Sequence, residues 1–347
     1  MKFVITEEQQ MMTDMVQDFL SENCTPAQLR ALADKSESHD PARWSALCDL
    51  GLPGAMLGEA AGGLGLSAQD VIGLVRASGA ALLPEPLAET MGIALPALEA
   101  LGAPASIPDI LSGARRIAVA HPLAPLVEGA DSADAILMFT DCAVRLIPSA
   151  GAELTPQPGI DPLRRLFTVA GTEGETLAEG DAATAATGRA GETGALFAAA
   201  QLLGIAQKAI DISVAYACER QQFGKPIGTY QALKHHLASA QVAVEFARPV
   251  LLAAAATAAH PADRAARARV SHAKFACGRA ADQACRTAIQ VHGGMGYSQE
   301  ADVHLYLKRA LALRQSWGSE TFHRNRYADR LGALPLGPGT LFDLETT

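Results

Sequence analysis

From about residue 190 to residue 330, apolar residues recur every three or four positions, and this period decides most of what the chain can fold into. Ile205, Ala209, Ile212 and Tyr216 form one stripe, and Leu233, Leu237, Ala240, Val244, Ala247 and Leu251 a second. Val270, Ala273, Cys277, Ala280, Ala284, Ala288 and Val291 form a third. Each stripe is the buried face of a long helix. Small residues fill the third, so its neighbours can approach closely. Two more helices are expected at 299–314 and 318–330. Long helices with short connections read as a four-helix bundle. Pro249 falls inside the second stripe and is expected to kink it.

The rest of the chain has a different rhythm. Residues 1–113 read as a helical domain. Thr6 followed by Gln9 is a capping box opening a helix through Leu20. The Gly-rich stretch 51–70 lacks dinucleotide-fingerprint spacing and reads as a turn before another helix. Within 114–185, "RIAVAHPLA", "AILMFTD", "CAVRLIP" and "RLFTVAG" are short β-branched or apolar runs separated by Pro, Gly, Asp and Ser. They predict four to six strands in a small antiparallel module. The small, polar "ATAATGRAGETG" (183–194) reads as a linker to the bundle, which takes 186–347. The fold expected is mainly α with a small β-domain between two helical ones.

Composition narrows the function. The net charge of −9 argues against nucleic acid as the main partner, since phosphate binding needs a basic face. Hydrophobic residues make up 49% of the chain, ample for a large core. Cys24, Cys48, Cys142, Cys218, Cys277 and Cys285 form no CxxC pair and read as buried thiols in a reducing compartment. No signal peptide is expected at "MKFVITEEQQ". No uninterrupted apolar run reaches the roughly 18 residues of a membrane helix, so a cytoplasmic location is expected. His235, His236 and His292 have no carboxylate or Cys four residues on, so no metal is assigned.

Two segments interrupt the helices without a packing reason. In "ERQQFGKPIGTYQALKHHLA" (219–238), Arg220 ends one helix, Phe223-Gly224 turns the chain and Gln231 begins the next. An Arg and an aromatic beside a Gly turn suit a diphosphate and a flat ring. In "IQVHGGMGYSQEA" (289–301), paired glycines let backbone approach a ligand closely, with Gln290 and His292 as hydrogen-bonding neighbours. Alone, each also reads as an ordinary helix connection.

Together and in this order, these segments resemble the acyl-CoA dehydrogenase family. "RQQFG" is similar to its Arg-x-x-Phe-Gly turn, "QVHGGMGY" to its Gln-x-x-Gly-Gly-x-Gly segment, and "GEAAGGLGLS" (58–67) to its N-terminal Gly-Gly-x-Gly turn. The resemblance spans the chain and is strongest from 200 to 310. It implies an N-terminal helical domain, a middle β-domain and a C-terminal four-helix bundle. It also implies FAD as cofactor and an acyl-CoA thioester as substrate. Arg220, Phe223, Gln231, Gln290, Gly293 and Gly294 become candidate contacts to the FAD of a neighbouring subunit.

The resemblance also shows what is missing. The family's usual base is a Glu 27 positions after the Gln of the glycine motif. Counting from Gln290 lands on Trp317, followed by Gly318 and Ser319, with Arg324 on a family Arg. An indole cannot accept a proton. Glu320, three residues on, is a candidate for a relocated base. Some relatives place the base on the bundle's first helix, a slot that falls near Gly194, with Glu192 the nearest acid. Residues 115–185 also lack the family's flavin-ring Trp segment, because the chain's two tryptophans are Trp44 and Trp317.

A chain that keeps the FAD-tail half and loses the ring half resembles the shorter subunit of heterotetrameric α2β2 acyl-CoA dehydrogenases of steroid degradation. Such a chain pairs with a full-length, base-bearing subunit. The other readings are a homo-oligomeric dehydrogenase using Glu320 or Glu192, a flavin-free scaffold, and a flavin monooxygenase on the same fold.

Overall fold

In the computed structural model, the described residues are 5–35, 39–171, 173–259 and 263–332. The N-terminal helices are α1 (Glu7–Asn23), α2 (Pro26–Asp34), α3 (Pro41–Asp49) and α4 (Ala68–Ala80). Then come the turn α5 (Leu87–Glu89), the π-helical Thr90–Ala94, α6 (Leu95–Ala100) and α7 (Ile107–Leu111). The capping box forms: Thr6 accepts from the Gln9 amide at 3.2 Å, and Gln9 reaches back to the Thr6 amide at 3.0 Å.

The middle region departs from expectation in size and topology. Seven strands form two sheets among the described residues. One sheet orders β1 (Ile117–Ala120), β3 (Ala135–Phe139), β4 (Ala143–Pro148) and β7 (Glu175–Glu179). The other places β6 (Leu166–Ala170) between β2 (Val127–Glu128) and β5 (Glu153–Gln157). The pairing β1–β3 is parallel, not antiparallel, because the chain leaves the first sheet to make β2 before returning.

The bundle consists of α8 (Gly180–Glu219), α9 (Gln231–Thr257), α10 (Arg264–His292) and α11 (Val303–Gln315), with α12 (Glu320–Gly332) against α10. A hairpin of β8 (Gln221–Gln222) and β9 (Lys225–Pro226) joins α8 to α9. The stretch 183–194 is not a linker but the first turns of the 40-residue α8. Its small residues are a packing face: Ala183, Ala186, Thr187, Ala190, Gly191 and Gly194 are buried. The composition read as flexibility reflects close approach. Helix α9 is continuous from Gln231 to Thr257 with Pro249 inside it.

Two other expectations need correction. Cys142 and Cys218 are exposed, while the other four cysteines are buried as free thiols. By average hydropathy over an 18-residue window, α8 and α9 are long and apolar enough to cross a bilayer. The α8 window is 72% buried inside the protein, as befits a core helix, and the α9 window 28%.

Helix α4 rides directly on α8. A Cβ added to Gly204 would lie 2.0 Å from the Arg76 carbonyl oxygen, and one added to Gly79 would lie 2.3 Å from the Gln201 carbonyl oxygen. Backbone is on the receiving side, so no rotamer change relieves either clash. Gly204→Ala is therefore expected to cost about 1–3 kcal/mol, the usual range for overpacking, read as a lower urea midpoint.

Candidate functional site

The two interrupting segments form exposed features next to each other in the chain's architecture. Between β8 and β9, Phe223 and Gly224 have φ of 53° and 79°, the positive pair that a two-residue type I′ hairpin turn needs. A left-handed Phe costs on the order of 1 kcal/mol. The turn projects its ring outward, 91% exposed, with only an edge contact to Tyr230 at 6.4 Å. Arg220 caps α8 through its own amide to the Tyr216 carbonyl, while its exposed guanidinium has no partner among the described residues. Gln231 and Gln290 are exposed on their helices.

The glycine turn is open in the same sense. Gly293 has φ of 59°, and a Cβ added to Gly293 or Gly294 would meet nothing within 4 Å. Bare backbone therefore faces outward at the end of α10, where a flat ligand can lie directly on it. His292, by contrast, is buried: it stacks on Tyr216 at 4.2 Å and its Nδ1–H donates to the Ala288 carbonyl at 2.7 Å. Its role here is packing.

The base slot is closed. Trp317 is buried, and its ring lies over Gly194, where an added Cβ would come within 2.3 Å of indole atoms. The two positions where base-bearing relatives would carry the acid thus meet at one point, and a single indole occupies both. The ring also leans on His121 at 5.1 Å. The turn carrying it is pinned from three sides. The Gly318 amide donates to the Leu123 carbonyl at 3.0 Å, and His323 Nε2–H donates to the Trp317 carbonyl at 2.7 Å. The Lys274 ammonium donates to the carbonyls of Leu313, Arg314 and Gly318 at 3.0, 3.2 and 3.3 Å.

Neither acid candidate reaches this slot as a free group. Glu320 pairs with Arg314 at 3.0 Å. Glu192 lies within α8, not in a loop, and one of its oxygens receives Arg330 at 2.6 Å, Arg326 at 2.7 Å and Arg267 at 3.4 Å. Three cations on one carboxylate commit it to tying α8 to α10 and α12.

The acid beside the slot is one that sequence reasoning missed. Glu89, ending α5 in the N-terminal domain, lies beside the Trp317 indole. Burial, with Glu128 adding, pushes its carboxyl above the usual range, against the pull of Arg164. Arg164 in turn donates to Glu128 at 2.7 Å and to the Ser316 hydroxyl at 3.2 Å. The π-helical turn right after Glu89 is the feature that could have flagged it, but nothing in the residue pattern announces such a turn.

Comparison with known proteins agrees with this geometry. Residues 6–108 match the acyl-CoA dehydrogenase N-terminal domain, and residues 189–332 the C-terminal domain. The chain is 31% identical over 323 residues to acyl-CoA dehydrogenase IpdE2 of Mycolicibacterium smegmatis, covering 90% of this chain and 96% of that one. The chain belongs to the acyl-CoA dehydrogenase family. Members are FAD-dependent oxidoreductases acting on acyl-CoA. The solved ChsE4–ChsE5 complex of Mycobacterium tuberculosis is similar at 25% identity and TM-score 0.81, covering 97% of this chain and 100% of that chain. The Tcur3481–Tcur3483 steroid dehydrogenase variant shares the fold at 23% identity and TM-score 0.83, covering 95% and 99%. Neither matched domain includes 109–188, the β region, which holds no tryptophan.

The pinned turn makes stability depend on pH in two windows. Burial drives His323 down to about 3, far below its ordinary value. Between pH 6.5 and 3 the unfolded chain takes up a proton that the folded chain refuses, so stability falls as pH drops. Burial, with Arg314 adding, lowers Lys274 to about 7, so its cost is relieved as pH rises above 7 toward its unfolded value. Each contributes a slope of up to about 1.4 kcal/mol per pH unit in its window. Urea titrations from pH 4 to pH 9 should show both, and His323→Gln should flatten only the acid limb.

Proposed function

We propose that this chain is the subunit of a heteromeric FAD-dependent acyl-CoA dehydrogenase that holds the dinucleotide tail of a shared flavin and supplies no base. The observation that carries this reading is the Trp317 indole packed on Gly194, which leaves no carboxylate at either base position. The surfaces for the tail fit their task. The unpaired Arg220 guanidinium suits a diphosphate, Phe223 and the open Gly293–Gly294 backbone suit a flat ring, and Gln231 and Gln290 offer amides. On the ring side the chain offers no carboxylate: the indole occupies the expected base position, and His121 backs it.

When bound, FAD would supply the hydride acceptor for the β-carbon of the thioester. The residues of this chain bind and orient the tail, and the α-proton leaves to a carboxylate of a full-length partner, in an α2β2 assembly. A bulky acyl-CoA, such as a steroid side-chain thioester, is the substrate class we assign, and the cytoplasm the location. Similarity to a subunit in a complex of two dehydrogenase chains supports the partner.

Expressed with a base-bearing dehydrogenase, the chain should yield a yellow, active complex. Alone it should turn over no acyl-CoA. Arg220→Ala should weaken flavin retention by about ten- to a hundred-fold, the loss of one charge-assisted contact. Glu320→Gln should leave turnover unchanged. A fully flavinylated, active homomer that dies on Glu320→Gln would sink the proposal.

A further inference from the structure

A cleft of about 950 Å³ runs along one face of α8, away from the Trp317 slot. Its α8 wall extends from Gly204 to Glu219, roughly 22 Å at the helical rise. Apolar side chains line part of it: Leu20 of α1, Ile212 and Tyr216 of α8, and Val303 and Tyr306 of α11. One end opens beside His292 and Met295, next to the glycine turn.

The other end holds two arginines from different helices, Arg76 of α4 and Arg248 of α9. The backbone of Arg76 is fixed by the glycine crossing of α4 on α8. Its half-buried guanidinium has no hydrogen bond or ion pair among the described residues. Arg248 gives Nη2 to Glu245 at 3.0 Å, while its Nε is buried without a partner. Burial first, then the charge of Arg248, disfavours the Arg76 cation, and the opposing charge is that of Glu245. Two guanidiniums therefore share one carboxylate. Of the cleft's acids, Asp302 pairs with Arg30, Asp211 accepts from Gln207 at 2.9 Å, Glu219 lies at the far end, and Asp18 is an exposed residue of α1.

We propose that Arg76 and Arg248 form an oxyanion site, and that the cleft takes a small molecule with a phosphate or carboxylate head and an apolar body. Guanidinium forks match both head groups in two-point fashion. The cleft has the size of ordinary small-molecule sites, about 300–1,000 Å³. The orphaned Arg248 Nε and the unpaired Arg76 are the donors such a head would satisfy. The arginine pair lies at the opposite end of the cleft from the glycine turn, and its assignment does not rest on the function proposed above.

The test uses the full chain, purified with any subunit that accompanies it. Thermal unfolding and calorimetric titration are run with inorganic phosphate, pyrophosphate and octanoate at constant ionic strength, with chloride as the control. A saturable rise in melting temperature with at least one oxyanion is expected. The responding probe tells a phosphate head from a carboxylate head. Arg76→Gln and Arg248→Gln should each weaken that response by about ten-fold or more. Arg220→Gln should leave it intact, which separates this site from the flavin diphosphate. The proposal is overturned if no probe gives a saturable response, or if the response survives Arg76→Gln with Arg248→Gln but is lost in Arg220→Gln.

Discussion

The small-residue face of α8 is the constraint on which the rest of the molecule depends. Three glycines along one helix admit three different neighbours. A Cβ on Gly191 would meet His121 at 3.0 Å, one on Gly194 would meet the Trp317 indole at 2.3 Å, and one on Gly204 would meet the Arg76 carbonyl at 2.0 Å. The β-domain, the base-slot turn and the N-terminal domain are thus all registered against a single rod. Helix packing normally keeps axes 8–10 Å apart by side-chain bulk, and glycine removes that spacer. Position along α8 therefore sets which part of each domain meets which, and buried polar ties hold the arrangement. Arg43 bonds Glu85 through Nε at 2.8 Å and Nη2 at 2.7 Å. Arg309 pairs with Asp161 and donates to the Leu83 carbonyl at 3.1 Å, joining bundle, β-domain and N-terminal domain.

Backbone strain at two of the three described non-glycine residues with positive φ has opposite outcomes. Phe223 and Trp317 both hold positive φ, 53° and 59°. At Phe223 the strain serves exposure, pushing an aromatic ring into solvent where a flat ligand can meet it. At Trp317 it serves enclosure, and the fold spends a buried lysine and a neutral buried histidine to keep the turn in place. A lysine that meets only carbonyls, with no carboxylate, is an expensive fastening, which is why its ammonium is so readily discharged.

The architecture was legible where a period or a cap carries it. The stripes of α8, α9 and α10, the Thr6–Gln9 box and the turn at Phe223-Gly224 follow from local chemistry. Counting put the two expected base positions at 317 and near 194, and the fold brings these two residues into contact. Three things were not. The stretch 183–194 reads as a linker because Gly and Thr are poor helix formers in isolation, and only the approach of His121 and Trp317 explains them. The parallel β1–β3 pair depends on a crossover that no local signal encodes. Glu89 is an ordinary surface-type acid in sequence, and it meets Trp317 across more than two hundred residues of chain.

That meeting explains why the missing base is more than one substitution away. A carboxylate placed at 317 would face Glu89, whose carboxyl already resists ionisation beside Glu128. Two acids sharing an enclosed site ionise together only at a cost, so the newcomer would itself be pushed toward the protonated form. It would also leave a void over Gly194, since no smaller side chain fills what an indole does, and Glu89 would lose its indole neighbour. Arg164, bonded to Glu128 and Ser316, already pulls Glu89 the other way, and burial still outweighs it. The surroundings have been rebuilt around an apolar ring with one N–H. The lack of a carboxylate at 317 is therefore a property of the whole junction between the three domains, and residue 317 is where it shows.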